Sequence, residues 1–212
     1  MNIVLIGASG YVGSALLTEA LARGHEVTAI VQHPEKLRPQ PRLQALAVNV
    51  LDAAALAPAL RGHEAVISAF SGHAEGDVRG YYLRGFASIV AAVKTAAVPR
   101  LLVVGGAGSL EVAPGVALLD TPDFPAAYRA SAEGARDALI MLRAEPTLDW
   151  TLLSPSALLV PGERSGKFRL GGDQLLVGSD GQSRITVPDY AVALIDELEH
   201  PRYHRQRFTV GY

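Results

Sequence analysis

The 212-residue chain has no cysteine, which excludes disulfides, thiolate nucleophiles and thiolate metal sites together and suits a reducing compartment. Redox chemistry on such a chain needs a borrowed cofactor. Long apolar runs are also missing, since stretches such as Leu101 to Val104 and Trp150 to Leu153 fall far short of the roughly 20 residues that cross a bilayer. No basic tract is present, and a formal net charge of -2 with 19% charged residues carries no footprint of nucleic-acid binding. The amino terminus lacks the basic and apolar regions of a secretory signal, so the expected location is the cytoplasm and no membrane partner is expected. Among the six histidines, His200 and His204 stand four residues apart, but Pro201 interrupts any helix between them, and no metal is expected. Neither a Gly-x-Ser-x-Gly elbow nor a framed pair of carboxylates points to a hydrolase.

What the chain does have is 49% hydrophobic residues, enough for one domain over residues 1–212. Short β-rich runs alternate with helix-like segments. Strands are expected at Ile3 to Ile6, Val27 to Val31, Leu46 to Val50, Ala65 to Phe70, Leu101 to Val104 and Trp150 to Leu153. Alanine-rich amphipathic stretches at Tyr11 to Arg23, Ala53 to Leu60, Tyr82 to Ala97 and Phe124 to Arg143 are expected to cover them. Continuously apolar strands separated by helices indicate an α/β, doubly wound parallel sheet buried on both faces. After Pro155 the glycine-rich passage 156–187 is expected to form a small lobe beside the sheet. Pro188 suits the first turn of a last helix running to about Glu199, followed by a strand at Phe208 to Val210.

The segment IGASGYVGSA places Gly7, Gly10 and Gly13 between the first strand and the first helix. There a dinucleotide pyrophosphate meets backbone N–H groups and the positive end of a helix. Gly7 allows the tight turn, Gly10 lets the backbone approach phosphate, and Gly13 lets the helix pack close to the strand. Ser9, Tyr11 and Val12 join them as cofactor-binding candidates. At the end of the second strand, a carboxylate would select NAD by binding the ribose 2′-OH. The chain instead reads Gln32-His33, with Lys36 and Arg38 close behind. This favours NADP, with NAD possible; the alternative is that these residues form only a solvated loop.

Asp52 either accepts from the adenine amino group or caps the helix at Ala53. Ala69, Phe70, Gly105 and Gly106 sit at carboxyl ends of strands, where this layout forms its ligand crevice, and are expected to wall the ribose and nicotinamide. Pro155 and Ser156 follow the sixth strand at the same edge and either contact the carboxamide or make an ordinary strand exit. Ser109 either orients a carbonyl or forms a turn.

The segments GASGYVG, VQHPEKL, VVGGAGSL, LDWTLLSPS, PGERSGKFRLG and SRITVPDYAVALIDELE resemble the atypical short-chain dehydrogenase/reductase superfamily. The resemblance is to its NAD(P)-binding group, which includes NADH-flavin reductases, biliverdin reductase B and NmrA-like proteins, and it runs over nearly the whole chain. It implies a Rossmann-type fold and hydride transfer from bound nicotinamide to a small planar acceptor such as a flavin or quinone. The alternative it offers is a nonenzymatic NmrA-like redox sensor. Relatives often carry arginine where this chain has Gln32. The wider dehydrogenase family pairs a tyrosine with a lysine four positions later, but here Tyr128 is followed by Ala132. With no lysine to lower its pKa, Tyr128 is not assigned that family's acid role. It is expected either to line the pocket or to pack under the sheet. Ser109 and Tyr128 are thus the only catalytic candidates.

Overall fold

The computed structural model describes residues 1–73 and 76–212. The apolar run Asn2–Ile6 forms β1, and Ile3, Val4, Leu5 and Ile6 are all essentially inaccessible to solvent. Burial on both faces demands cover on both sides, at roughly 1.5 to 3 kcal/mol of stabilisation per large apolar side chain. The chain continues through α1 (Tyr11–Ala22), β2 (Glu26–Val31), β3 (Leu43–Ala47), α2 (Ala53–Leu60), β4 (Ala65–Ser68), α3 (Val78–Ala96) and β5 (Arg100–Val104). A short hairpin follows, β6 (Glu111–Ala113) and β7 (Val116–Ala117), then α4 (Ala126–Ala144) and β8 (Asp149–Ser154). The last elements are β9 (Leu158–Val160), β10 (Arg169–Gly171), β11 (Arg184–Thr186), α5 (Val187–Glu199) and β12 (Gln206–Gly211).

Eight strands form one sheet in the order β10-β12-β8-β5-β4-β1-β2-β3, parallel except for β10 against β12. Helices α1 and α5 pack together on one face, and α2, α3 and α4 on the other. The direction of winding reverses between β1 and β4, so their carboxyl ends diverge and open a crevice. This is the expected doubly wound architecture.

Three expectations need correction. The third strand is Leu43–Ala47, not Leu46 to Val50, in the register Val27↔Leu43 to Val31↔Ala47. As an edge strand it buries little, so its apolar signal is weaker than that of the loop after it. Helix α3 starts at Val78, ahead of Tyr82, because the Asp77 carboxylate accepts from Gly80 N at 2.9 Å and caps it. The passage after Pro155 divides: β9 and β11 pair as a separate parallel ribbon, whereas β10 adds an edge to the main sheet. Among the described residues, no helix is long and apolar enough to cross a membrane.

Candidate functional site: a glycine turn between two cavities

Gly7 leaves β1 with φ +83°, and its N–H donates to Ile30 O at 2.9 Å. A Cβ at this position would stand 2.6 Å from Ala69 O, so the turn rests directly on the end of β4. A Cβ on Gly13 would meet Gly7 O at 2.0 Å, which is how closely α1 approaches β1. Gly13 therefore acts through packing and lines neither cavity.

Gly10, the N-cap of α1, offers no side-chain hydrogen bond, and no acidic residue occupies the first turn. By contrast, α2, α3 and α5 are capped by Asp52, Asp77 and Thr186, whereas α4, like α1, starts without a side-chain cap, at Pro125. The amide donors at the start of α1 are thus open to an anion where the helix dipole favours one. The cradle fits a pyrophosphate.

One cavity, of about 650 Å³, spreads from this turn across the carboxyl ends of β2 and β3. Gly7, Ser9, Gly10, Gln32, His33, Lys36 and Arg38 line it, and no Asp or Glu among the described residues does. The His33 ring bonds Glu35 at 3.1 Å, outside the lining. Val48, Asn49 and Val50 form the far wall. These three fall within the stretch expected as the third strand, and the end of β3 at Ala47 leaves them free to line the crevice. Asp52 lines neither cavity: its Oδ1 accepts from Ala54 N and Ala55 N, both at 3.0 Å, so of its two readings the structure displays the cap.

A second cavity, of about 600 Å³, lies across the ends of β4, β5 and β8. Tyr11, Val12, Gly105, Gly106, Pro155 and Ser156 line it, as do the aromatic side chains of Phe70, Tyr82, Phe124 and Tyr128. The cavities meet along Gly10, Ala69, Phe70 and Ser71, which line both. Phe70 lies at this junction with its ring stacked on Tyr82 at 6.1 Å. It fits only because residue 85 is glycine, since a Cβ there would fall 2.3 Å from the ring. Burial pushes the pKa of the Tyr82 phenol well above its ordinary value, which keeps it neutral.

Tyr128 is 63% exposed, lines the second cavity and does not pack under the sheet. Ala132, one turn further on, faces the same cavity. Helix α4 lies so close to the glycine-rich loop after β5 that a Cβ on Gly108 would stand 2.8 Å from Ala132 Cβ. Ser109, read as either orienting a carbonyl or forming a turn, lies in a turn and lines neither cavity. Its hydroxyl accepts from the buried guanidinium of Arg207, at 3.3 Å, which also binds Asp173. Sequence reading missed Phe124, Tyr82 and Val48 to Val50; an aromatic beside Pro125 and an aromatic pair at Tyr81-Tyr82 were the available signals. Among the described residues, no three His, Asp or Glu side chains gather as metal ligands.

A doubly wound sheet with an uncapped glycine turn at its switch point defines a dinucleotide-binding protein. The family model described as NAD(P)H-binding matches residues 7–198, and the chain belongs to that family. The uncharacterized protein YwnB of Bacillus subtilis is 42% identical over 213 residues, covering 99% of this chain and 98% of that protein. A Bacteroides thetaiotaomicron structure, provisionally named an epimerase, is 44% identical with a TM-score of 0.94, covering 100% of this chain and 96% of its own. A Streptococcus pneumoniae structure, provisionally named a NADH-flavin reductase, is 33% identical with a TM-score of 0.88, covering 100% and 99%.

Proposed function

We propose that the protein is an NAD(P)H-dependent reductase, preferring NADP, that passes hydride to a flavin, quinone or related planar acceptor. The observation that carries this reading is the junction of the two cavities along Gly10, Ala69, Phe70 and Ser71. One side offers open amide donors and cationic side chains without a carboxylate, and the other offers an aromatic, largely apolar recess. Bound nicotinamide supplies the hydride. The chain's own residues bind, orient and exclude water: the α1 turn holds phosphate, Gly105, Gly106 and Pro155 wall the reacting end, and Phe70, Tyr82 and Phe124 shape the acceptor's bed. Positioning of this kind is worth up to about 7 to 11 kcal/mol in favourable cases, which makes a dedicated acid dispensable for an electron-poor acceptor. The direct test is oxidation of NADPH and NADH against flavins, quinones and small carbonyl compounds, alongside binding of each cofactor. Binding of cofactor without turnover of any acceptor moves the assignment to a dinucleotide sensor, with a protein rather than a small molecule as partner.

Two outcomes test the parts of this reading. Gln32→Asp places a carboxylate among His33, Lys36 and Arg38 and is expected to lower affinity for NADPH relative to NADH by about tenfold, through like-charge repulsion. An unchanged ratio in parallel titrations removes Gln32 from the ribose corner. Tyr128→Phe is expected to retain most single-turnover hydride transfer at saturating cofactor and acceptor. A general acid contributes about a hundredfold to ten-thousandfold, so a loss of that size would restore Tyr128 to an acid role.

A further inference from the structure

We infer that the acceptor cavity selects acceptors that carry no anionic group, taking an unphosphorylated flavin or a plain quinone in preference to phosphorylated, sulfonated or carboxylated counterparts. The inference rests on the reductase reading and narrows it to a charge class. Two observations on opposite sides of Phe70 support it.

The cavity that takes the dinucleotide has Lys36, Arg38 and His33 in its wall and no carboxylate. The acceptor cavity reverses this. No lysine or arginine among the described residues lines it, and its one carboxylate is the exposed Asp123, set beside Phe124 and Pro125. Its remaining polar side chains are hydroxyls and one imidazole, those of Tyr11, Ser71, Thr121, Ser131, Ser156, Tyr82, Tyr128 and His73. Of these, the Thr121 hydroxyl already donates to Leu118 O at 2.8 Å, Ser131 to Tyr128 O at 2.9 Å, and Ser156 to Val210 O at 2.9 Å.

None of the arginines on the helices flanking this cavity lines it, although Arg129 stacks on the Phe124 ring that does. Arg129 lies over the Phe124 ring at 5.6 Å and donates to Leu119 O at 3.3 Å. Arg79 pairs with Asp137 at 2.5 Å, Arg84 with Asp77 at 3.4 Å and Arg136 with Asp120 at 3.0 Å. An acceptor phosphate, carrying roughly -1.5 to -2 charges at neutral pH, would give up water for a wall in which no lysine or arginine side chain offers a countercharge and in which the Asp123 carboxylate stands two residues before Pro125, the N-cap of α4. An uncharged ring system of the same shape keeps the aromatic contacts of Phe70, Tyr82 and Phe124 and forfeits nothing.

The test compares riboflavin with FMN, which differ by the phosphate alone, and menadione with a naphthoquinone sulfonate. Affinity is read by flavin fluorescence quenching and by quinone competition at saturating NADP+, and kcat/KM is read with NADPH. The expected result is a preference of about tenfold or more for the uncharged member of each pair, corresponding to about 1.4 kcal/mol. In Asp123→Lys the FMN disadvantage, read as the ratio of riboflavin to FMN affinity in the same variant, should shrink or invert. Equal or tighter binding of the anionic members, or no binding of any of the four, overturns the inference. If the uncharged members bind preferentially but none is reduced, the charge preference stands and the reductase reading fails.

Discussion

Gly10→Val is expected to fold with the wild-type sheet and to lose about a hundredfold or more in affinity for both NADPH and NADH. The fold should survive because Gly10 has φ -77° and ψ 174°, an extended conformation open to any L-residue. A Cβ there meets only Gly7 O, at 3.3 Å, and a shift of a few tenths of an ångström relieves that contact. Affinity should not survive, because Gly10 lines both cavities at the open amides of α1, where phosphate must come close to the backbone. Losing one or two hydrogen bonds to a charged group, at about 1.5 to 3 kcal/mol each, gives the stated factor. Gly13→Ala makes the contrast: its Cβ would sit 2.0 Å from Gly7 O, backbone against backbone, and should cost about 3 kcal/mol or more of stability. Circular dichroism with cofactor titration separates the two, and a folded Gly10→Val protein with unchanged affinity would reject the pyrophosphate placement.

Asp189→Ala is expected to lower stability by about 2 to 4 kcal/mol, because it removes four hydrogen bonds to one buried carboxylate at once. Asp189, near the start of α5, is fully buried. Its carboxylate accepts from Ser165 N and Gly166 N at 2.8 Å, from the Ser165 hydroxyl at 2.5 Å and from the Tyr212 hydroxyl at 2.7 Å. It thereby ties the loop 161–168 and the last residue to one helix end. Arg164 in the same loop reaches Glu19 of α1 at 2.8 Å, and the Thr186 hydroxyl donates to Glu163 O at 3.0 Å.

Burial raises the Asp189 pKa, but hydrogen bonds from Ser165, Tyr212 and Gly166 more than offset it and hold the group below its ordinary 3.8. The carboxylate's contribution to stability is therefore full above the unfolded value of 3.8 and is lost as the pH falls through the lower folded value. Urea unfolding across acidic pH should show the gap between wild type and Asp189→Ala closing below that value; a pH-independent gap would sever the stabilisation from ionisation. The loop continues from β9, whose Leu158 and Leu159 line the acceptor cavity, so the variant should also raise the acceptor KM.

The order of strands and helices was legible because two-sided burial forces continuous apolar runs, as in Ile3 to Ile6 and Leu101 to Val104. The weak edge strand β3 escaped, since one exposed face relaxes that demand, and so did the capped start of α3 at Asp77. The positions of Gly7, Gln32 and Pro155 in the crevice were legible because each follows directly on a strand whose end the topology fixes, and that of Gly10 because it ends the short turn leading into α1. For Ser109 the turn was legible locally, but its hydroxyl turns to Arg207, nearly a hundred residues later in the chain, and such a long-range partner leaves no local mark.

By itself the sequence determined the alternating α/β order, the glycine turn on β1, the lack of a carboxylate at Gln32 and the lack of a lysine after Tyr128. Each is a property of residue type and local spacing. Only the tertiary structure decided that Asp52 displays a cap, that Gly85 makes room for Phe70, and that the two cavities meet with opposite charge character. These depend on which strand ends converge at the switch point and how closely the helices pack upon them, and distances of that kind are set by the whole fold rather than by neighbours in the chain.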